Sequence, residues 1–190
     1  MPRQMFIRGS LVAAGVVLAF TTAAVAQDRH VPPPHDPAHA AQALTWCAAH
    51  LARNELVAAL SDCDYAVAVE PKNPKSLSNR GSVWLLAGDP ARAIMDFDAA
   101  IALVPEDASL YFNRGIAFSK LQQQDKAITE YSEAIRRRPD FAAAYYNRGF
   151  EFELKKMTTE ALADYNFALK LAPDLKPAAA AIAKLSRGQL

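Results

Sequence analysis

The sequence predicts an all-α protein built from repeated pairs of helices, because several residue types recur at an interval of 34 residues. Glycine and proline set the interval at Gly81, Gly115 and Gly149, and at Pro71, Pro105, Pro139 and Pro173. Alanine and aromatic residues keep the same register: Ala59, Ala93, Ala127 and Ala161; Ala66, Ala100, Ala134 and Ala168; Phe97, Tyr131 and Tyr165; Trp84, Phe118 and Phe152. A fixed period of this length is typical of arrays of stacked supersecondary units.

Each unit is predicted to contain two helices. In residues 108–141, apolar residues follow helical spacing up to Phe118, polar residues 122–125 interrupt the pattern, and the spacing resumes from Ala127. Pro139 then ends the second helix, since proline cannot continue the hydrogen-bond ladder. Small residues allow two antiparallel helices to approach closely, and the aromatic rings fill the wider gaps beside them.

This pattern resembles the tetratricopeptide repeat family. The residues that carry the resemblance are Gly81, Ala93, Phe97, Ala100 and Pro105; Gly115, Ala127, Tyr131, Ala134 and Pro139; and Gly149, Ala161, Tyr165, Ala168 and Pro173. They define units at 74–107, 108–141 and 142–175, and a degenerate unit at 40–73 retains Ala59, Ala66 and Pro71. The resemblance implies a solenoid of about four helical hairpins, and it implies no particular activity.

The N-terminal segment is expected to be a secretory signal peptide over residues 1–26. Arg3 and Arg8 precede an apolar run, and small residues follow as far as Ala26. The run is shorter than the ~20 residues needed to span a bilayer. We therefore expect no stable membrane span after cleavage, and a periplasmic or secreted location in a bacterium.

The segments on either side of the repeats have different characters. Residues 27–39 are rich in proline and histidine and predict an extended linker. Residues 176–190 predict a helix that caps the array, with Ile182 and Leu185 on one side and Lys184 and Arg187 towards solvent.

The charge balance gives no reason to expect a nucleic-acid partner. The chain has 21 basic and 20 acidic side chains, for a formal net charge of +1. Signal-peptide cleavage would remove two arginines and no acid, leaving −1. Motifs for phosphate cradles, zinc hydrolases, nucleophile elbows and calcium loops do not occur in the sequence, so neither an enzyme nor a cofactor is expected.

Arginine recurs within the apolar pattern at Arg80, Arg114 and Arg148. An acid follows sixteen residues later in every case, at Asp96, Glu130 and Asp164. An antiparallel hairpin brings these positions opposite one another, so we expect structural ion pairs with the acid of the same or the adjacent unit. A ladder of anion-binding arginines is the alternative.

The inner faces of the first helices are the expected partner-binding surface, because stacked hairpins form a superhelix with a concave wall. The candidate groove residues are Asn79, Phe112, Asn113, Ile116, Tyr146, Asn147 and Phe150. The asparagines can each bond an extended peptide backbone, as the family resemblance also implies, and the apolar residues would bury a partner side chain. The alternatives are that the asparagines bond neighbouring helices and that the stripe packs on the linker or the capping helix.

The two cysteines, Cys47 and Cys63, occupy the glycine and aromatic positions of the degenerate unit, on opposite helices of one hairpin. If the protein is exported to an oxidising compartment, they are a candidate disulfide. Metal binding with neighbouring histidines is an alternative, since Cys47 and His50 are three residues apart on a helix.

Together these patterns predict an exported scaffold that binds a protein or peptide in the concave groove of the array. The alternative is a self-associating structural protein of the cell envelope that uses the same apolar face as a homodimer interface.

Overall fold

A computed structural model describes residues 37–188, which form nine α-helices and no strand within that range. The helices are α1 (Pro37–Ala52), α2 (Leu56–Val69), α3 (Pro74–Leu86), α4 (Pro90–Leu103), α5 (Ala108–Lys120), α6 (Gln124–Arg137), α7 (Ala142–Leu154), α8 (Thr158–Leu171) and α9 (Lys176–Ser186). The expected signal peptide and residues 27–36 of the expected linker lie outside the described residues. None of the described helices is long and apolar enough to cross a membrane.

The helices pack as hairpins in chain order. Helices α1 and α2, α3 and α4, α5 and α6, and α7 and α8 form the four pairs, and α9 packs against α8. Each second helix also contacts the first helix of the next pair. Helix α1 begins at Pro37, inside the segment 27–39 that the sequence assigns to an extended linker. Proline is suited to the first turn of a helix, because its fixed φ is already helical and its missing N–H is not needed there.

Side-chain caps mark the starts of three helices. Asn73 accepts hydrogen bonds from the backbone N–H groups of Lys75 and Ser76, before a helix that begins with Pro74. Asp89 and Asp107 accept equivalent bonds at the starts of α4 and α5. These bonds satisfy amide groups that have no partner within the helix.

The turn inside each hairpin has one residue in the left-handed region, at the same frame position in all four pairs. These residues are Asn54, Gly88, Gln122 and Lys156, with φ between 58° and 82°. Each donates its N–H to a carbonyl three residues earlier, and the next residue donates to a carbonyl five residues earlier. This arrangement satisfies the last carbonyl groups of the first helix and reverses the chain.

In each of the last three hairpins, a glycine of the first helix lies against an aromatic ring of the second. Phe97, Tyr131 and Tyr165 are buried on the second helices and lie directly over the glycines of the first helices. A Cβ atom at Gly115 would lie 2.6 Å from Cε1 of Tyr131, and a Cβ atom at Gly81 would lie 2.8 Å from Cε1 of Phe97. The ring therefore takes the space that any larger residue would need.

The first hairpin replaces this contact with a pair of cysteines. Cys47 on α1 and Cys63 on α2 are fully buried, with their sulfur atoms at bonding distance and their Cα atoms 5.3 Å apart. That Cα separation lies within the range of native disulfides. A covalent bond thus stands in the first unit where a ring packs on glycine in the other three.

We predict that Gly115→Ala destabilises the protein, although the same change in an ordinary helix interior stabilises by about 0.5–1 kcal/mol. The new methyl group would overlap the buried ring of Tyr131, which has no space to withdraw, at an expected cost of about 1–3 kcal/mol. Urea unfolding measures the difference. In a Tyr131→Leu background the penalty should largely disappear, and a stabilising effect of Gly115→Ala alone would contradict the steric argument.

We predict that losing the Cys47–Cys63 bond lowers the free energy of unfolding by about 3 kcal/mol, because a loop of this size is then open in the unfolded chain. Chemical denaturation with and without a thiol reductant measures the loss. A Cys47→Ala, Cys63→Ala variant is the control, since its stability should not respond to the reductant. Equal free energies of unfolding for the oxidised and reduced protein would show that the bond does not stabilise the fold.

Candidate functional site

The first helices of successive hairpins lie side by side and form one face of the array. Helix α3 contacts both α1 and α5, so the three helices share a continuous surface. In arrays of helical hairpins this surface is the concave one and supplies an extended binding site. The contacts place α1, α3 and α5 on this face, and the repeat frame assigns α7, the first helix of the fourth hairpin, to the same series.

A groove of about 640 Å³ opens on this face between α1, α3 and the start of α5. It is lined by Leu44, Thr45, Ala48, Pro74, Lys75, Ser78, Asn79, Val104, Asp107 and Leu110. Its charged side chains are one cation, Lys75, and one anion, Asp107. The other lining residues are apolar or neutral polar groups, so the groove suits an uncharged segment better than a charged one.

Asn79 is the predicted groove residue that lines this opening. It is half-buried, and its amide could both donate to and accept from a peptide backbone. Asn113 occupies the same position on α5 and is also half-buried. Asn147, one unit further, lies within hydrogen-bonding reach of the hydroxyl group of Tyr131. Asn147 thus lies beside a neighbouring helix, which is the situation that the alternative interpretation of the asparagines describes.

The predicted apolar stripe packs partly inside the array. Phe112 contacts the rings of Phe141 and Tyr131, at centroid distances of 4.7 and 5.8 Å. Ile116 packs against the core formed by α3, α4 and α5. The structure thus assigns both side chains to the packing between units, leaving them half-buried and less available to a partner than the sequence suggested.

The two stripe residues of the fourth unit differ in their exposure. Tyr146 packs against Tyr165, 5.6 Å away between centroids, in a cluster that also includes Ile182 of α9. Packing on the capping helix was the alternative interpretation, and it applies to Tyr146. Phe150 remains 43% exposed and is followed one turn later by the exposed Leu154. Phe150 is the member of the stripe that faces solvent.

The recurring arginines form ion pairs with the predicted acids. Arg80 bonds Asp96 through two nitrogens, with N–O distances of 2.9 and 2.7 Å. Arg114 bonds Glu130 at 2.8–2.9 Å, and Arg148 bonds Asp164 at 2.8 and 2.9 Å. Two parallel bonds fix the guanidinium plane and add strength to each pair. The three guanidinium groups are thus bonded to acids of the protein, which favours a structural role over the alternative of an anion-binding ladder.

Each arginine has a second partner, sixteen residues earlier, on the preceding unit. Arg80 reaches Asp64 at 3.2 Å, Arg114 reaches Asp98 at 2.6 Å, and Arg148 reaches the hydroxyl group of Ser132 at 2.9 Å. The predicted pairing included an acid of the adjacent unit but did not identify it. The sequence signal was available for two of them, because Asp64 and Asp98 are aspartates 34 residues apart.

The ion pairs are partly shielded from water, and their pKa values reflect this. Hydrogen bonding to Asp96 raises the pKa of Arg80, and hydrogen bonding to Asp164 raises that of Arg148. Burial raises the pKa of Glu130, while Arg114 pulls it back down. The guanidinium groups of Arg80, Arg114 and Arg148 therefore keep their protons at neutral pH.

The first unit departs from the ladder. Its acid position, Asp62, is bonded by Nδ1 of His50 at 2.7 Å, and Cys47 is committed to Cys63. Two of the atoms that a metal site would use are thereby occupied. Within residues 37–188, no group of three or more histidine, cysteine or acidic side chains is arranged to hold a metal ion.

Comparison with protein families decides what this array is. Two family models match the chain, one described as a tetratricopeptide repeat over residues 44–108 and one described as a TPR repeat over residues 119–156. The chain is a tetratricopeptide repeat (TPR) protein. The first match begins in the degenerate first unit and the second ends within the fourth unit, so each of the four units is matched at least in part.

Solved structures with the same TPR fold cover most of this chain. MamA from Desulfovibrio magneticus RS-1 matches with a TM-score of 0.65 and 22% identity, over 80% of this chain and 97% of that one. PilF from Pseudomonas aeruginosa matches with a TM-score of 0.73 and 17% identity, over 80% and 69%. A thermophilic TPR protein from Thermus thermophilus matches with a TM-score of 0.69 and 22% identity, over 79% and 84%. No curated protein sequence matches significantly.

We predict that Asp164→Ala lowers stability by about 2–3 kcal/mol, because it leaves the half-buried Arg148 with only a neutral hydroxyl partner. The value is below that for a fully buried pair, since the side chain of Arg148 is 21% exposed. Denaturant unfolding gives the number. The control, Asp140→Ala, removes an exposed acid and should change stability by less than about 0.5 kcal/mol. Equal effects of the two changes would rule out a structural role for the pair.

Proposed function

We propose that this TPR protein is an exported scaffold that binds an extended segment of a partner protein along its concave face. The TPR fold is generally a protein-interaction fold and not a catalytic one, which supports the role of a scaffold. The observation that supports binding of an extended segment is the groove between α1, α3 and α5. It is large enough for several residues of a peptide, and Asn79 lines it.

The chemistry of the groove defines the kind of segment it would accept. Asn79 and Ser78 offer hydrogen-bonding groups for a peptide backbone, while Leu44, Ala48 and Leu110 offer apolar surface for side chains. Because Lys75 is the cation that lines the groove and Asp107 lies in the same lining, a carboxylate would gain little there. We therefore infer a neutral, extended partner segment with small or apolar side chains.

The helices that form the groove are already folded without a partner. Binding to preformed helices loses less conformational entropy than binding that must order the site. The Cys47–Cys63 bond adds to this, because it joins α1, one wall of the groove, to α2. The binding surface of the scaffold is thus preorganised.

Export is part of the proposal because it would explain the buried cysteine pair. Disulfides form and persist outside the reducing cytoplasm, and the N-terminal sequence has the three parts of a secretory signal. N-terminal sequencing of the protein recovered from the periplasm or the medium should begin at Gln27. Recovery of the uncleaved chain from the cytoplasm would refute this part of the proposal.

We predict that a photo-crosslinking residue at Ser78, in the groove, captures a partner protein in intact cells. The matched control is Met95, which is 69% exposed on the second helix α4. Asn79→Ala should reduce capture at Ser78 about three- to tenfold, the value of one hydrogen bond. Mass spectrometry identifies the product.

The outcomes of this experiment separate the two candidate functions. Capture of a different protein at Ser78 and not at Met95 supports the scaffold. Capture of a second copy of the same chain, with a dimer in size-exclusion chromatography, favours the self-associating alternative. No capture at Ser78 in cells that hold the folded protein would refute binding in the groove.

A further inference from the structure

A buried glutamate lies at the junction of the third and fourth units. Glu151 on α7 is 1% exposed. The residues at the same frame position in the other first helices are apolar, and three of them, Val83, Ala117 and Leu185, are buried. Glu151 therefore places a carboxyl group at a repeat position that is otherwise occupied by apolar residues.

The carboxyl group of Glu151 makes no hydrogen bond of normal geometry, although the hydroxyl group of Ser119 on α5 lies near enough to favour its charged form. Both of its oxygen atoms are inaccessible to water, and neither makes a hydrogen bond within normal limits. An unpaired, buried carboxylate is strongly unfavourable, whereas a neutral carboxylic acid is tolerated much better in the same place. The unfavourable free energy of burying Glu151 therefore comes mainly from its charge and not from its size.

The recurring arginines of α5 and α7 do not neutralise an ionised Glu151, because both are engaged in other ion pairs. On α5 and α6, Arg114 is paired with Glu130 and Asp98. On α7 and α8, Arg148 is paired with Asp164, and Glu153 bonds Tyr165 and Lys184. Tyr131 on α6 is close enough that its pKa is raised by burial and, after that, by the charge of Glu151.

We propose that the junction of α5, α6 and α7 depends on a proton: Glu151 packs there as a neutral carboxylic acid, and loss of this proton loosens the junction. The released proton goes to solvent, and the carboxylate gains hydration only if α7 moves away from α5 and α6. Because α7 also carries Asn147 and Phe150, such a movement displaces the fourth-unit part of the concave face.

The direction of the pH dependence follows from the environment of Glu151. Burial raises its pKa above the ordinary glutamate value, and the nearby Ser119 offsets part of the rise. In the unfolded chain the group ionises near its ordinary pKa of about 4.3. The contribution of Glu151 to stability is therefore fully present below that pH and is lost as the pH rises through the folded-state pKa.

The test compares the unfolding of the purified wild-type protein and Glu151→Gln by urea between pH 4 and pH 8. Glutamine has nearly the same shape and carries no ionisable proton. As the pH rises, the equilibrium constant for unfolding of the wild type should increase relative to that of Glu151→Gln, by up to about tenfold per pH unit between the two pKa values. Groups common to both proteins, including Glu130, cancel in the ratio.

Glu160→Gln, an exposed change on α8, is the matched control and should follow the wild-type profile. A constant ratio of the wild-type and Glu151→Gln unfolding constants across this range would overturn the proposal.

A second measurement needs no variant. Carbon-13 NMR of the side-chain carboxyl groups in the wild-type protein should show Glu151 titrating above the usual range. Amide hydrogen exchange in α7, corrected for its intrinsic pH dependence, should accelerate over the same interval while exchange in α3 does not. Titration of Glu151 near its ordinary pKa of about 4.3, or acceleration shared equally by α3 and α7, would each contradict a proton-dependent junction.

Discussion

The structure depends first on the close approach of two helices at one point in each hairpin. The ring of Phe97, Tyr131 or Tyr165 lies so close to a glycine that a side chain at the glycine position would have no room. This contact sets the distance between the helices, and the alanines before and after the ring allow the same distance to continue along the pair. The face that each hairpin offers to the next, and hence the concave surface, follows from that separation.

The second level of organisation is electrostatic. Arg80, Arg114 and Arg148 each hold an acid on their own hairpin and a polar group on the preceding one. Apolar packing resists separation of the units but does little to fix their register, because it is not directional. Guanidinium groups bonded on two sides are directional, so they align successive hairpins. The aliphatic stems of the same side chains can cover apolar surface at the junction.

Most of the fold could be predicted from the sequence, because its determinants recur and recurrence is visible without coordinates. The glycine and aromatic positions, the helical pairs and the arginine–acid spacing of sixteen residues are of this kind. The left-handed turn residues were missed, since Asn54, Gly88, Gln122 and Lys156 share a backbone conformation and not a residue type. Glu151 was missed for the opposite reason. It is a single departure from an apolar column, and it is found only when each column is examined for exceptions.

The candidate site was harder to predict than the fold. Phe112 and Phe150 belong to the same helix face in the repeat frame, but the size of the neighbouring residues decides which of them is covered. Phe141 lies over Phe112, whereas Phe150 stays exposed. The open groove instead lies nearer the N-terminal end, where Ala48 and Ser78 are too small to fill the space between α1 and α3. Recurrence predicts positions, and local volume decides which of them remain accessible.

The two-sided bonding of the arginines also bears on how such a chain can change length. Because each arginine uses one partner sixteen residues later and one sixteen residues earlier, a duplicated stretch of 34 residues would bring a complete set of partners with it. Gain or loss of a whole unit would leave no arginine without an acid on its own hairpin. Insertion of any other length would separate the three positions. The spacing therefore permits evolutionary growth in whole hairpins and penalises growth by fractions of one.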